Sequence, residues 1–153
     1  MNNLYFVRHG DYRHSDGSLT ERGVAQSEKI GRYLAGRDRK YIILTSPYTR
    51  AKETANIIAS HVNHLDVIEM ALLKEHFPGE PYNELQDRAI IAYRVMPVIA
   101  NYDVIAVSHR AVLRVILSPL LHKEPKEIKI DKGMVYEFSN KNGKVRYEDR
   151  WGA

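Results

Sequence analysis

Cysteine is absent from all 153 residues. That excludes disulfides, thiolate zinc centres, iron–sulfur clusters and a cysteine nucleophile together. No apolar run approaches the ~20 residues needed to span a bilayer. The opening stretch from Met1 to Arg8 has no basic segment ahead of its apolar residues, so no signal peptide is expected. A cytoplasmic chain without membrane contact is the resulting expectation. Neither G-x-G-x-x-G nor G-x-x-x-x-G-K-[ST] occurs, which removes the main support for a nucleotide cofactor. The ten tyrosines are scattered with no basic–aromatic platform, so nucleic acid is not an expected partner. His61-x-x-His64 has no evident third ligand, and no metal or other cofactor is expected.

Lys and Arg number 23 against 19 Asp and Glu, a formal charge of +4. This mild excess suits a small anionic ligand. Hydrophobic residues at 44% and charged residues at 27% are ordinary for a globular chain. The length suits one domain over 1–153, large enough to bury a core without staples.

Short apolar runs alternate with amphipathic segments. Leu4–Val7, Tyr41–Leu44 and Val104–Val107 read as buried strands, and Val67–Met70 as a weaker one. Met134–Phe138 and Lys144–Tyr147 flank an Asn-Gly turn and form a hairpin. Ser18-x-x-Glu21 predicts a capping box for a helix reaching Leu34, with Val24, Ser27, Gly31 and Leu34 facing the core. Ser46-Pro47 predicts an N-cap followed by proline at the first helical position. Asn83-x-x-Gln86 opens a third helix that Pro97 must kink or end, and Arg110–Leu117 is a fourth, stopped near Pro119. Lys123 to Lys132 reads as a solvated connection. Strand–helix alternation of this kind predicts an α/β fold, with a mostly parallel six-stranded sheet and helices on both faces, a three-layer α/β/α sandwich.

Ligands of such sheets sit beyond the carboxyl ends of the strands. Those ends carry Arg8-His9-Gly10, then Thr45-Ser46-Pro47 with Arg50 close behind, then Glu75 and His76, then Ser108-His109-Arg110. Two histidines, several arginines and a carboxylate converge on one rim. Arginine is costly to bury unpaired, so its recurrence there asks for an anion.

With these residues in view, the sequence resembles the histidine phosphatase superfamily, the phosphoglycerate-mutase-like proteins. The resemblance rests on Arg8-His9-Gly10, on Leu19-Thr20-Glu21-Arg22-Gly23 and on Ser46-Pro47-Tyr48-Thr49-Arg50-Ala51 with Glu53-Thr54-Ala55 after it. Leu73-Lys74-Glu75 and Val107-Ser108-His109 complete it. It implies a phosphomonoester hydrolase with a phosphohistidine intermediate and the catalytic set Arg8, His9, Arg50, Glu75 and His109. Its substrate would be a phosphorylated small molecule or a phosphoprotein. In this reading His9 is the nucleophile, neutral because flanking arginines repel a proton, with its other ring nitrogen held by a backbone carbonyl. Arg8 and Arg50 clasp phosphate oxygens, and His109 is expected as a protonated donor. Glu75 protonates the leaving oxygen and then activates water. Glu80, Glu84 and His76 stand as alternatives to Glu75. Ser15 replaces an asparagine of the mutase and bisphosphatase branches, and Arg110 stands where many members have glycine. Arg13, Ser15 and Arg110 are the expected substrate contacts. A phosphoglycerate-type mutase and a catalytically weak phosphate-binding module are the rival readings.

Overall fold

The computed structural model describes residues 2–96, 101–141 and 143–152. Six strands, β1 (Asn2–Arg8), β2 (Lys40–Thr45), β3 (Asn63–Glu69), β4 (Asp103–Ser108), β5 (Val135–Lys141) and β6 (Lys144–Trp151), form one sheet in the order β3-β2-β4-β1-β5-β6. The pairs β3–β2, β2–β4 and β4–β1 are parallel, whereas β5 runs antiparallel to β1 and β6 antiparallel to β5. The sheet is therefore mixed, which corrects the mostly parallel sheet read from the sequence. The cause is the C-terminal pair: β5 runs against β1, and β6 runs back against β5.

Four helices, α1 (Glu21–Ala35), α2 (Thr49–Ala59), α3 (Tyr82–Arg94) and α4 (Arg110–Leu121), cover the sheet. Side chains alternate along the inner strands and build two cores. Leu4, Phe6, Ile42, Leu44, Val104 and Ala106 pack with Leu85 and Ala89 of α3 and Leu113 and Leu117 of α4. Tyr5, Val7, Tyr41, Ile43, Ile105 and Val107 pack with Ile30 and Leu34 of α1 and Ala55 and Ile58 of α2. Burial on both faces explains why β1, β2 and β4 read as unbroken apolar runs. β3, at the edge, is mostly exposed. Among the described residues, no helix is long and apolar enough to cross a membrane.

Several local expectations are corrected. The cap of α1 is Thr20, whose hydroxyl accepts from Gly23 N at 3.0 Å, not Ser18. Val24 is 40% exposed, and Ile30 takes its place in the core. α2 begins at Thr49, so Ser46 and Pro47 precede it. Pro119 lies inside α4, which runs on to Leu121 and closes on left-handed His122. Pro119 takes one hydrogen bond from the ladder, the one its missing N–H would have made to Val115 O, and the helix ends two residues later. The connection before β5 buries Ile128 and Ile130 rather than lying free in solvent. α3 ends at Arg94, and Pro97, like Asn142 of the hairpin turn, lies outside the described residues.

Candidate active site

Parallel register sets the geometry of the rim. Arg8 stands opposite Ser108, and Thr45 opposite Val107, so β1, β4 and β2 finish level. The ladder continues one step, with His9 N donating to Ser108 O at 3.2 Å and Ser46 N to Val107 O at 3.0 Å. His9, Ser46 and His109 thus leave the sheet as neighbours. The chain after β1 turns into α1 on one face, and the chain after β4 turns into α4 on the other. Their parting opens the crevice in which α/β sheets bind ligands.

The turn after His9 is held flush against α1. A Cβ on Gly10 would stand 2.6 Å from the Gly23 carbonyl oxygen, and one on Gly23 would stand 2.0 Å from that of Asp11. Only glycine fits at both places. Gly10 N donates to Thr54 Oγ1 at 3.0 Å, and that hydroxyl donates to Arg50 O at 2.8 Å, tying the turn to α2.

His9 is 2% exposed. Its Nδ1–H donates to Gly10 O at 2.8 Å, which leaves the lone pair on Nε2. Burial, and then repulsion from Arg50, Arg8 and Lys132, lower its pKa to about 3 against the opposing pull of the Gly10 bond. The ring is therefore neutral at pH 7 and nucleophilic.

His109 is fully buried, its ring centroid 5.0 Å from that of His9. Its Nε2 lies 2.8 Å from Ser46 Oγ, and its Nδ1 lies 3.6 Å from Glu75 Oε2. Burial, helped by His9, Arg50, Arg8 and Arg88, lowers its pKa to about 2. The expected imidazolium is thereby corrected: this ring is neutral, because desolvation next to two guanidinium groups penalises a third cation.

Arg50 is bracketed by two tyrosines, its guanidinium carbon 4.4 Å from the Tyr12 ring centre and 5.0 Å from that of Tyr48. Tyr12 meets His9 edge-on and Tyr48 meets His109 edge-on, each at 5.3 Å. Arg8 is anchored from the opposite side, Nη1 donating to Ile130 O at 3.1 Å. The Nε atoms of Arg8 and Arg50 and Nδ1 of His109 are buried with no hydrogen-bond partner among the described residues. An unmet buried donor costs about 1–3 kcal/mol, and an oxyanion between these groups would satisfy them.

Glu75 Oε2 stands 3.7 Å from Arg50 Nη2 as well as 3.6 Å from His109 Nδ1, while Oε1 accepts from His76 N at 3.0 Å. The other candidate acids are engaged or remote. Glu80 is 8% exposed and bound through both oxygens by Arg88, at 2.8 Å each, which holds its carboxyl below the usual range. His76 Nε2 bonds to Glu80 O at 2.9 Å. Glu84 is exposed on the first turn of α3. Arg88 also donates to the carbonyls of Leu72, Lys74 and Glu75, so one guanidinium shapes the segment that presents Glu75.

Arg13 and Ser15 are exposed in the loop before α1, with Arg13 Nη1 3.4 Å from Ser18 Oγ. Arg110 is exposed at the start of α4, near enough for its charge to act on Arg8. Among the described residues, none of the three makes a hydrogen bond, ion pair or ring contact to His9, Arg50 or His109. A hollow of about 370 Å³ opens beside Arg8, lined by Asp11, Arg22, Gln26, Asp131 and Lys132. A larger one of about 450 Å³ lies away from these groups at the start of β2, between Asp38 and Asn101.

Arg88, Lys132, the bracketing tyrosines and the inward turn of Ser46 were not foreseen from the sequence. Only Ser46 had a usable signal: it directly follows one strand as His109 directly follows another, and the two strands pair in parallel.

Residues 4–79 match the model of the histidine phosphatase superfamily (branch 1). Over 90 residues the chain is 41% identical to the serine/threonine-protein phosphatase Pgam5, mitochondrial, of Caenorhabditis briggsae. That match takes in 56% of this chain and 30% of the relative, so the chain spans about a third of that protein's length. YhfR of Bacillus stearothermophilus shares the fold with a TM-score of 0.81 at 18% identity, over 96% of this chain and 95% of that one. The protein histidine phosphatase SixA, determined with tungstate, gives 0.71 at 17%, over 97% and 95%. At these identities the likeness concerns the fold.

Proposed function

Because the chain belongs to the histidine phosphatase superfamily, we propose that it is a phosphomonoester hydrolase in which His9 carries the phosphoryl group. The observation that carries this reading is the state of His9: buried, neutral, its Nδ1–H spent on Gly10 O, and flanked by Arg8, Arg50 and His109. His9 Nε2 attacks phosphorus, and the ester oxygen leaves with a proton from Glu75. A water then attacks the phosphohistidine, gives its proton to Glu75, and the N–P bond breaks to release phosphate. Arg8 and Arg50 neutralise the equatorial oxygens throughout, so no metal is required. The reading takes the two cores on opposite faces of the sheet as those of a three-layer α/β/α sandwich, and residues 1–153 as one domain.

The substrate is a small phosphoester or a phosphorylated protein side chain. The names of Pgam5 and SixA, both protein phosphatases, support the second. A cytoplasmic location belongs to the same proposal, although the Pgam5 relative is named as mitochondrial; fractionation tests it. The test of the reaction is a rapid quench with a labelled phosphoester. Acid-labile, base-stable label on His9 is the expected result, absent in His9→Ala. Turnover in a folded His9→Ala protein defeats the assignment.

A further inference from the structure

Ser46 is fully buried, and its hydroxyl has a settled set of neighbours. Tyr48 N donates to Ser46 Oγ at 3.2 Å, so one lone pair of the oxygen is taken. The remaining neighbour is His109 Nε2 at 2.8 Å. Two arrangements satisfy that contact. If Nε2 carries the proton, it donates to Ser46 Oγ, and the serine hydrogen is left without an acceptor in a dry site. If the serine hydrogen is donated to Nε2, both hydroxyl and Nε2 are satisfied and the ring proton sits on Nδ1. A hydroxyl has one donor and two acceptor sites, and a neutral imidazole has one of each. Buried polar hydrogens without partners are rare. Each arrangement leaves one such hydrogen, the serine hydrogen in the first and the Nδ1–H in the second, so the choice falls to what faces Nδ1.

The far side of the ring decides. His109 Nδ1 has no hydrogen-bond partner and lies 3.6 Å from Glu75 Oε2. A lone pair there would face the lone pairs of the carboxylate, whereas an N–H faces them favourably.

We infer that Ser46 is a positioning residue that fixes His109 in its Nδ1–H form, so that a neutral histidine offers a donor, not a lone pair, to the phosphoryl oxygen. The inference rests on the phosphatase reading for its use, but not for its structure. It also removes the need for an imidazolium. Both site histidines then hold the same tautomer and are used oppositely. His9 spends its Nδ1–H on the backbone and presents Nε2, whereas His109 spends Nε2 on Ser46 and presents Nδ1–H.

The experiment is long-range ¹⁵N–¹H correlation of the histidine rings at pH 7, on the unliganded full chain. A His109 pattern with Nδ1 protonated is expected for the wild type. An Nε2–H pattern, or an imidazolium, overturns the inference. In Ser46→Ala the pattern is expected to become mixed, with kcat on p-nitrophenyl phosphate falling about tenfold, less than the ~10²–10³ of deleting a transition-state donor outright. Ser46→Thr, which keeps the hydroxyl, should restore the pattern and most of the rate. An unchanged tautomer and rate in Ser46→Ala would show that Ser46 does not set them. Should the alanine variant fail to fold, the wild-type and threonine spectra decide. Should the protein lack phosphatase activity, the spectra still stand, and it is the proposed function that falls.

Discussion

Acid should unfold this protein through its two site histidines. In the native state His9 and His109 have pKa values of about 3 and about 2, each lowered first by burial. Unfolded, each returns to about 6.5. Between those limits the unfolded chain binds protons that the native one refuses, so stability is full above about pH 6.5 and is lost as pH falls. Each group contributes about 1.4 kcal/mol per pH unit, so from pH 6.5 to 4.5 the pair removes on the order of 5 kcal/mol, comparable with the whole stability of many domains. The window lies mostly above the titration of Asp11, Asp16 and Glu80, whose lowered values act at more acid pH. Glu137, raised by burial, works in the opposite direction. The assay is urea denaturation of the wild type at several pH values in that window, alongside His9→Gln and His109→Gln, which keep a polar side chain without a titratable ring. Each variant should lose about half of the wild-type slope. A slope that persists undiminished in both variants would refute the argument, because the proton uptake would then lie elsewhere.

Other expectations concern rate. Arg50→Ala should lower kcat on p-nitrophenyl phosphate by about 10²–10³, since it removes a donor that no neighbour replaces; a loss under fivefold would place Arg50 outside the reaction. Glu75→Gln should impair an alkyl phosphate far more than p-nitrophenyl phosphate, whose leaving group departs with little protonation. Equal losses on both would make Glu75 structural. Arg88→Leu should reproduce that split in weaker form, because it frees the carbonyls of Leu72, Lys74 and Glu75 while leaving His9 untouched. A uniform loss on both substrates would assign Arg88 to folding alone. EDTA should leave turnover unchanged, and restoration by a divalent ion after inhibition would contradict a site run by arginines.

What the sequence revealed, and what it hid, follows from distance along the chain. β1, β2 and β4 were legible because burial on both faces leaves unbroken apolar runs. His9, Arg50 and His109 were legible because they stand at or just after the ends of those runs. The Asn-Gly hairpin was legible, but not that β5 runs against β1, since Val7 and Val135 are paired by tertiary packing alone. Ser46 looked like a cap because serine before proline is a local signal, and its bond to His109 spans 63 positions. The hold of Ile130 on Arg8 spans 122. The segment around Ile130 looked solvated because its alternating charges hide two isoleucines that face inward. Arg88 was hidden for another reason: a helical arginine is by default a surface residue, and only its carbonyl partners reveal otherwise.

The strand order has a consequence for how the chain comes into being on the ribosome. β1 is made first, yet its neighbours in the sheet are β4 and β5, and β2 meets only β3 and β4. β4 is the wedge that joins the two parts. Until residues 103–108 have emerged, Leu4, Tyr5, Phe6 and Val7 have no strand to pair with, and His9 has no His109 beside it. Non-local pairing of this kind is slow and leaves apolar edges bare meanwhile. The centre of the sheet and the pairing of its two facing histidines therefore both wait on the same strand.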